Sequence, residues 1–138
     1  FTRGKGLFSV TEYIPPAEQT DAEYPYILTT GRILYQYHTA TMSRRSKGLV
    51  SRTPEVFAEI NPADAGALGV SHGDMITVSS RRGSITVKAD VSERCDKGVI
   101  FIPFHYSEAA VNKLTITAID PIANIPEYKV CAVKIAKP

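Results

Sequence analysis

Hydrophobic and polar positions alternate most strictly between residues 75 and 91. In Ser84 to Val91, Ile85, Val87, Ala89 and Val91 fall on one side and Ser84, Thr86, Lys88 and Asp90 on the other. That is the period of a strand with one dry face. Met75 to Ser80 is a second strand, and Arg81-Arg82-Gly83 between them predicts a short turn in which the glycine takes positive φ. Looser alternation groups Val56, Ala58 and Ile60 within Glu55 to Ile60, and Cys131, Val133 and Ile135 within Lys129 to Ile135, which predicts two further strands. Tyr26-Ile27-Leu28 and Val99-Ile100-Phe101-Ile102 are apolar without a break, and Pro103 ends the second run. Short strands separated by turns predict a mainly β barrel with small helices inserted.

Two stretches carry helix signals. Asn61 caps, Pro62 suits the first helical position, Asp64 stands in the first turn where the dipole favours it, and Gly69 suits a left-handed C′ residue. Ser107 is the candidate cap of a one- or two-turn helix over Glu108 to Leu114. Residues 1–23 hold glycine, Pro15-Pro16 and several charges without a sustained apolar period, which predicts an extended connector whose Leu7, Phe8, Tyr13 and Ile14 could pack on a neighbour. Residues 24–138 are then the domain proper.

Three predicted strands empty into polar loops. After Tyr26-Ile27-Leu28 come Thr29, Thr30, Gly31 and Arg32, then Gln36, His38 and Thr39. A glycine permits close approach to the backbone, threonine offers a hydroxyl, and the arginine fork suits phosphate or a guanine edge. The same residues also fit an ordinary strand exit with Arg32 in solvent. After Pro103 come Phe104, His105 and, farther on, Asn112, whose amide suits the edge of a ring or caps a backbone carbonyl. Tyr128 and Lys129 stand at the mouth of the last strand. Arg44, Arg45, Lys47 and Arg52 form a local basic cluster that reads as phosphate-neutralising or as a solvated face. His72 reads as an exposed loop residue.

This set is rich in donors and ring faces and poor in acids. It holds no convergent acid–base pair, no serine or cysteine with a positioned base, and no glycine-rich phosphate loop. Catalytic residues and metal ligands are therefore not assigned, and the set suits holding a large anionic heterocycle whose chemistry lies elsewhere.

Composition narrows the picture further. The 138 residues are 43% hydrophobic and 22% charged, ordinary for one globular domain. Lysine plus arginine number 16 against 14 aspartate plus glutamate, too even for a general nucleic-acid or membrane surface. Cys95 and Cys131 lack the spacing of a zinc site or a redox dithiol and read as free thiols in a reducing compartment, with a single disulfide as the other reading. Without a run near the roughly 20 apolar residues of a membrane span, and without a signal-like start, the chain is expected to be soluble and cytoplasmic. The opening on Phe1 in place of methionine predicts a piece of something longer.

The order of four segments then resembles a known family. They are YPYILTTGR with YHTATMSRR (Tyr24 to Arg45), EINPADAGALGVSHGDMITVSSRRGSI (Glu59 to Ile85), GVIFIPFHYSEAAVNKLT (Gly98 to Thr115) and DPIANIPEYKVCAV (Asp120 to Val133). Together they resemble the C-terminal molybdopterin-dinucleotide-binding domain of the molybdenum and tungsten oxidoreductases, most nearly that of formate dehydrogenase catalytic subunits. The resemblance implies a six-stranded double-psi β-barrel that closes over a bis-molybdopterin guanine dinucleotide carrying molybdenum or tungsten. By position it implies cofactor contacts at Arg32, Gln36, His38, Phe104, Asn112, Tyr128 and Lys129, with Thr30, Gly31, Thr39 and His105 as close neighbours. Position 104 is tyrosine in some relatives, so the phenylalanine here offers no hydroxyl. The iron–sulfur segment and the cysteine or selenocysteine metal ligand of the family are not in this stretch, so the isolated chain is expected to be inactive. The implied partners are the rest of a catalytic subunit and electron-transfer subunits. Rival readings are the same domain from a nitrate reductase or formylmethanofuran dehydrogenase, or a double-psi barrel that binds protein.

Overall fold

The computed structural model describes residues 2–138, and Phe1 lies outside the described residues. Six strands close into one barrel: β1 (Tyr26–Gly31), β2 (Phe57–Ile60), β3 (Met75–Ser80), β4 (Gly83–Val91), β5 (Val99–Pro103) and β6 (Cys131–Ala136). Around the barrel the order is β1-β5-β2-β4-β3-β6. Pairs β1–β5 and β2–β4 are parallel; β1–β6, β2–β5, β3–β4 and β3–β6 are antiparallel. Helix α1 (Lys47–Val50) lies in the β1–β2 connection and α2 (Pro62–Leu68) follows β2.

The alternation read from the sequence becomes the inside and outside of the barrel. Leu28, Ala58, Ile60, Ile76, Val78, Val87, Ile100, Ile102, Cys131 and Val133 meet in one core from which water is excluded. The α2 signals act as expected: Asn61 Oδ1 accepts from Ala63 N at 3.0 Å, and Gly69 ends the helix at φ 64°. Both cysteines are buried free thiols.

Several expectations are corrected. Gly83 is a strand residue paired with Ser80 and is not among the positive-φ glycines, because Arg81 and Arg82 alone make the turn. The predicted helix over 108–114 is two 3-10 turns, Ser107–Ala109 and Val111–Lys113, separated by extended Ala110. Ser107 caps nothing there; its Oγ donates to the Glu108 carboxylate at 3.3 Å. Strand β1 runs on through Thr29 and Thr30 to Gly31, since parallel pairing to β5 takes up its backbone as far as Gly31↔Pro103. Strand β2 starts two residues later than expected, and β6 starts at Cys131.

Residues 17–24 are bound to the barrel. The Glu18 carboxylate accepts from both Arg81 and Arg82 and from Ala132 N, while Asp21 pairs with Arg81. Leu7, Phe8, Tyr13 and Ile14 are exposed.

Candidate functional site

Register decides which loops share a rim. Strands β1 and β5 are parallel and end level at Gly31↔Pro103, so the loops carrying Arg32 and Phe104 leave from the same end. Strand β6 runs antiparallel to β1 with Leu28↔Cys131, which brings the start of β6, and hence Tyr128 and Lys129, to that end as well. Three stretches far apart in the chain thus meet at one mouth of the barrel.

Direct bonds tie them together. Buried Thr30 donates its hydroxyl to the Tyr128 carbonyl at 3.0 Å, and Lys129 Nζ donates to the Thr30 carbonyl. Phe104 N donates to the Gly31 carbonyl at 3.2 Å. His38, held at φ 51°, sets its ring edge-on to Phe104 with centroids 5.8 Å apart. A Cβ on Gly31 would stand 2.5 Å from Phe101 Cε2, so the space this glycine leaves open is used by the Phe101 ring. Thr39 is exposed and shares a hydrogen bond with Thr41 at 3.0 Å.

Gln36 faces inward. Its amide oxygen accepts from Ser43 Oγ at 2.7 Å and its amide nitrogen reaches Thr53 Oγ1 at 3.5 Å, while Ser43 Oγ also accepts from Tyr37 N. Tyr106 adds a bond from its hydroxyl to the Thr53 carbonyl at 3.0 Å. These bonds fold the loop over 36–45 against the stretch that leads into β2. Sequence reasoning missed Ser43, Thr53 and Tyr106, since nothing local to them marks a partner.

The free donors lie in two hollows. Arg32 borders a trough of about 670 Å³ on the outer face of β1, β5 and β2, floored by Phe57 and Phe101 and edged by Glu59, Arg94 and Cys95. Arg94 is paired with Glu59 at 2.9 Å, whereas Arg32 has no ion pair among the described residues. Burial, then the neighbouring Glu59 carboxylate, pushes the Cys95 thiol up to about 11, so it is inert as a nucleophile at neutral pH. Asn112 and Tyr128 line a second hollow of about 310 Å³ with Thr115, Ile116 and Pro126. The side chains of Asn112 and Tyr128 have no hydrogen bond among the described residues. The two hollows are separate, so Arg32 and Asn112 do not line one pocket.

His105 is buried beneath this rim, its ring centroid 3.8 Å from that of Tyr106, and its Nε2 is buried without a partner among the described residues. Burial and then the Arg44 guanidinium hold its imidazole below the usual value, so it is neutral at pH 7. Arg44 forks onto Glu108 at 2.8 and 2.7 Å, and this bond holds the Glu108 carboxyl down to about 2. Burial pushes the Glu18 carboxyl up, but the Arg82 guanidinium, Ala132 N and Arg81 together hold it below the usual carboxylate range. His72 is exposed, with Asp90 3.4 Å away. Among the described residues no cluster of three or more His, Cys, Asp or Glu could hold a metal, and no helix is long and apolar enough to cross a membrane.

These shifts predict a two-stage acid profile. A buried His105 stays neutral while the unfolded chain takes up a proton below 6.5, so stability is present above that pH and falls as pH drops through it. Glu18 and Glu108 are lowered from 4.5, so their contribution is present above 4.5 and is lost as pH falls from there, for Glu108 toward about 2. Urea midpoints measured across pH should fall in both windows, and His105→Gln should remove the upper fall. An unchanged midpoint between neutral pH and the carboxylate window would disprove the assignment to His105.

Closed in the order β1-β5-β2-β4-β3-β6, with β1–β5 and β2–β4 parallel, the chain is a double-psi β-barrel domain. An acetylene hydratase from Pelobacter acetylenicus shares this fold, with a TM-score of 0.72 and 19% identity over 84% of this chain and 19% of that one. The family model of the molydopterin dinucleotide binding domain matches residues 26–132, and the chain belongs to that family. It is 54% identical over 134 residues to the F420-dependent formate dehydrogenase subunit alpha of Methanocaldococcus jannaschii, covering 97% of this chain and 20% of that one. It is 43% identical over 121 residues to the periplasmic nitrate reductase of Desulfovibrio desulfuricans, covering 88% of this chain and 16% of that one. The chain therefore spans a fifth or less of the length of these relatives.

Proposed function

We propose that the chain binds the guanine dinucleotide form of the molybdopterin cofactor, with molybdenum or tungsten, as one domain of a formate dehydrogenase that oxidises formate to carbon dioxide. The observation that carries this reading is the convergence of three strand ends on one rim whose Arg32, Asn112 and Tyr128 side chains have no hydrogen-bond or ion-pair partner among the described residues. The metal and its pterins would supply the redox chemistry; the residues here bind and orient.

Arg32 would offset phosphate charge with its planar fork, and Lys129 would add a second cation while bracing the Thr30 carbonyl. Asn112 would meet a polar ring edge, and Phe104 and Tyr128 would exclude water or stack. His38 and Thr39 stand on the same loop, and Gly31 and Thr30 shape its root. Gln36, turned inward, would act by holding that loop in place. The buried Nε2 of His105 is a polar atom under this rim awaiting a donor or acceptor, which fits a polar group bound above it. As one domain of a larger catalytic subunit it would be inactive alone, and its partners would be the rest of that subunit and the electron-transfer subunits that serve it. A cytoplasmic setting fits two buried free thiols. The nitrate reductase relative keeps a second substrate open, because the residues proposed here would contact the nucleotide and not the substrate.

Guanosine diphosphate, which carries the guanosine and the diphosphate bridge of that cofactor, tests the reading. Titrated into the 138-residue chain and followed by NMR, it should give saturable shifts at residues 30–39, 104–112 and 128–129 with a Kd on the order of 1 mM or tighter. Adenosine diphosphate should bind more weakly. Absence of saturable shifts, or shifts confined to the opposite end of the barrel, would refute it.

A further inference from the structure

We propose that residues 17–21 form a strap, keyed by Glu18, that positions the Asn112 turn and the Tyr128–Lys129 approach to β6, and so sets how tightly the rim holds its ligand. The inference rests on the binding reading above for its ligand, but its geometry is independent of it.

Among the described residues Glu18 is one of the few buried charges, at 9% exposure, and the bonds it makes reach distant parts of the sequence. One carboxylate oxygen accepts from Ala132 N at 2.9 Å and from Arg82 Nη2 at 2.7 Å; the other accepts from Arg81 Nη1 and Arg82 Nη1, both at 2.9 Å. The β3–β6 ladder stops at Ser79↔Lys134, so Ala132 N lies beyond it, and Glu18 occupies that seam in place of a strand. Arg82, fixed from one side by Glu18, donates its Nε to the Leu114 carbonyl at 2.9 Å, which is the end of the turn that carries Asn112. The preceding strap residue, Ala17, donates its N–H to both Glu127 oxygens at 3.3 and 3.2 Å, next to Tyr128.

The strap therefore holds both arms of the second hollow. Between Leu114 and Cys131 the only strand-like pairing among the described residues is one bridge, Ile119↔Pro126, and the strap adds to the few bonds that brace this stretch, from Thr30 to the Tyr128 carbonyl, from Lys129 to the Thr30 carbonyl and from Ile116 N to Cys131 Sγ. A buried carboxylate shared by two guanidinium groups while accepting a backbone N–H can be broken only by leaving charges and a donor unpaired. Such supporting contacts act on a site through the residues they orient, without touching the ligand.

The test compares Glu18→Gln with a control of matched stability, such as Ile76→Val in the core of β3, both in the 138-residue chain. Hydrogen exchange and guanosine diphosphate affinity are read on each. Glu18→Gln should speed exchange at 112–116 and 127–132 while β2 amides keep their protection, and should weaken the nucleotide about tenfold, whereas the control should leave both unchanged. Glu127→Ala, which removes only the Ala17 contact at an exposed site, should give the same pattern with a smaller change, and it serves if Glu18→Gln fails to fold. Equal affinity and uniform exchange in the strap variants and the control would overturn the proposal. Should the unaltered chain not bind the nucleotide, the function proposed above fails, and the exchange pattern alone then decides the strap.

Discussion

Arg32→Ala is expected to weaken guanosine diphosphate binding by about 10- to 100-fold, the worth of one charge-assisted hydrogen-bond pair to phosphate. The side chain is free of ion pairs among the described residues and borders an open trough, so its removal leaves no buried partner stranded and the fold should be untouched. Arg32→Lys should restore part of the loss, since it keeps the charge and gives up the planar fork. Lys129→Met should cost less affinity than Arg32→Ala but more stability, because Nζ already donates to the Thr30 carbonyl across the β1–β6 boundary. Isothermal titration with parallel urea melts separates the two. Undiminished affinity in Arg32→Ala would remove this residue from the site.

The largest stability effect belongs to β5. Ile102 is fully buried, and its strand is flanked by β1 on one side and β2 on the other. Ile102→Ala should lower the unfolding free energy by about 2–5 kcal/mol through lost transfer energy and the cavity left behind. Because Ile102 precedes the Pro103 that ends level with Gly31, the same variant should broaden the NMR signals of Phe104 and His38 before the barrel unfolds. A loss well under 1 kcal/mol with an unchanged urea slope would show that the barrel refills the site and that the rim does not depend on this packing.

Both expectations rest on a division already visible in the chain. Strand positions, the α2 cap at Asn61 with its stop at Gly69, and the sorting of Ile85, Val87 and Ala89 from Ser84, Thr86 and Lys88 are local properties of period and side-chain type, so the sequence by itself determined them. The order of its segments also carried the family. By contrast, the break at Ala110, the strand pairing of Gly83 and the extension of β1 to Gly31 depend on what each backbone meets elsewhere, which no window of a few residues contains.

The site divides in the same way. Thr30, Arg32, Phe104, Tyr128 and Lys129 were legible as chemistry at strand ends. That they share one rim follows only from parallel β1–β5 and antiparallel β1–β6 pairing. Tertiary structure alone turned Gln36 inward onto Ser43, gave the opening at Gly31 to Phe101, and placed Arg32 and Asn112 in separate hollows. Glu18 is the clearest case: one charge in a segment read as a connector becomes a buried clasp because its partners lie 63, 64 and 114 residues away. Hydrophobic period is written in neighbouring residues, whereas a buried charge is set by the groups that closure of the chain brings to it.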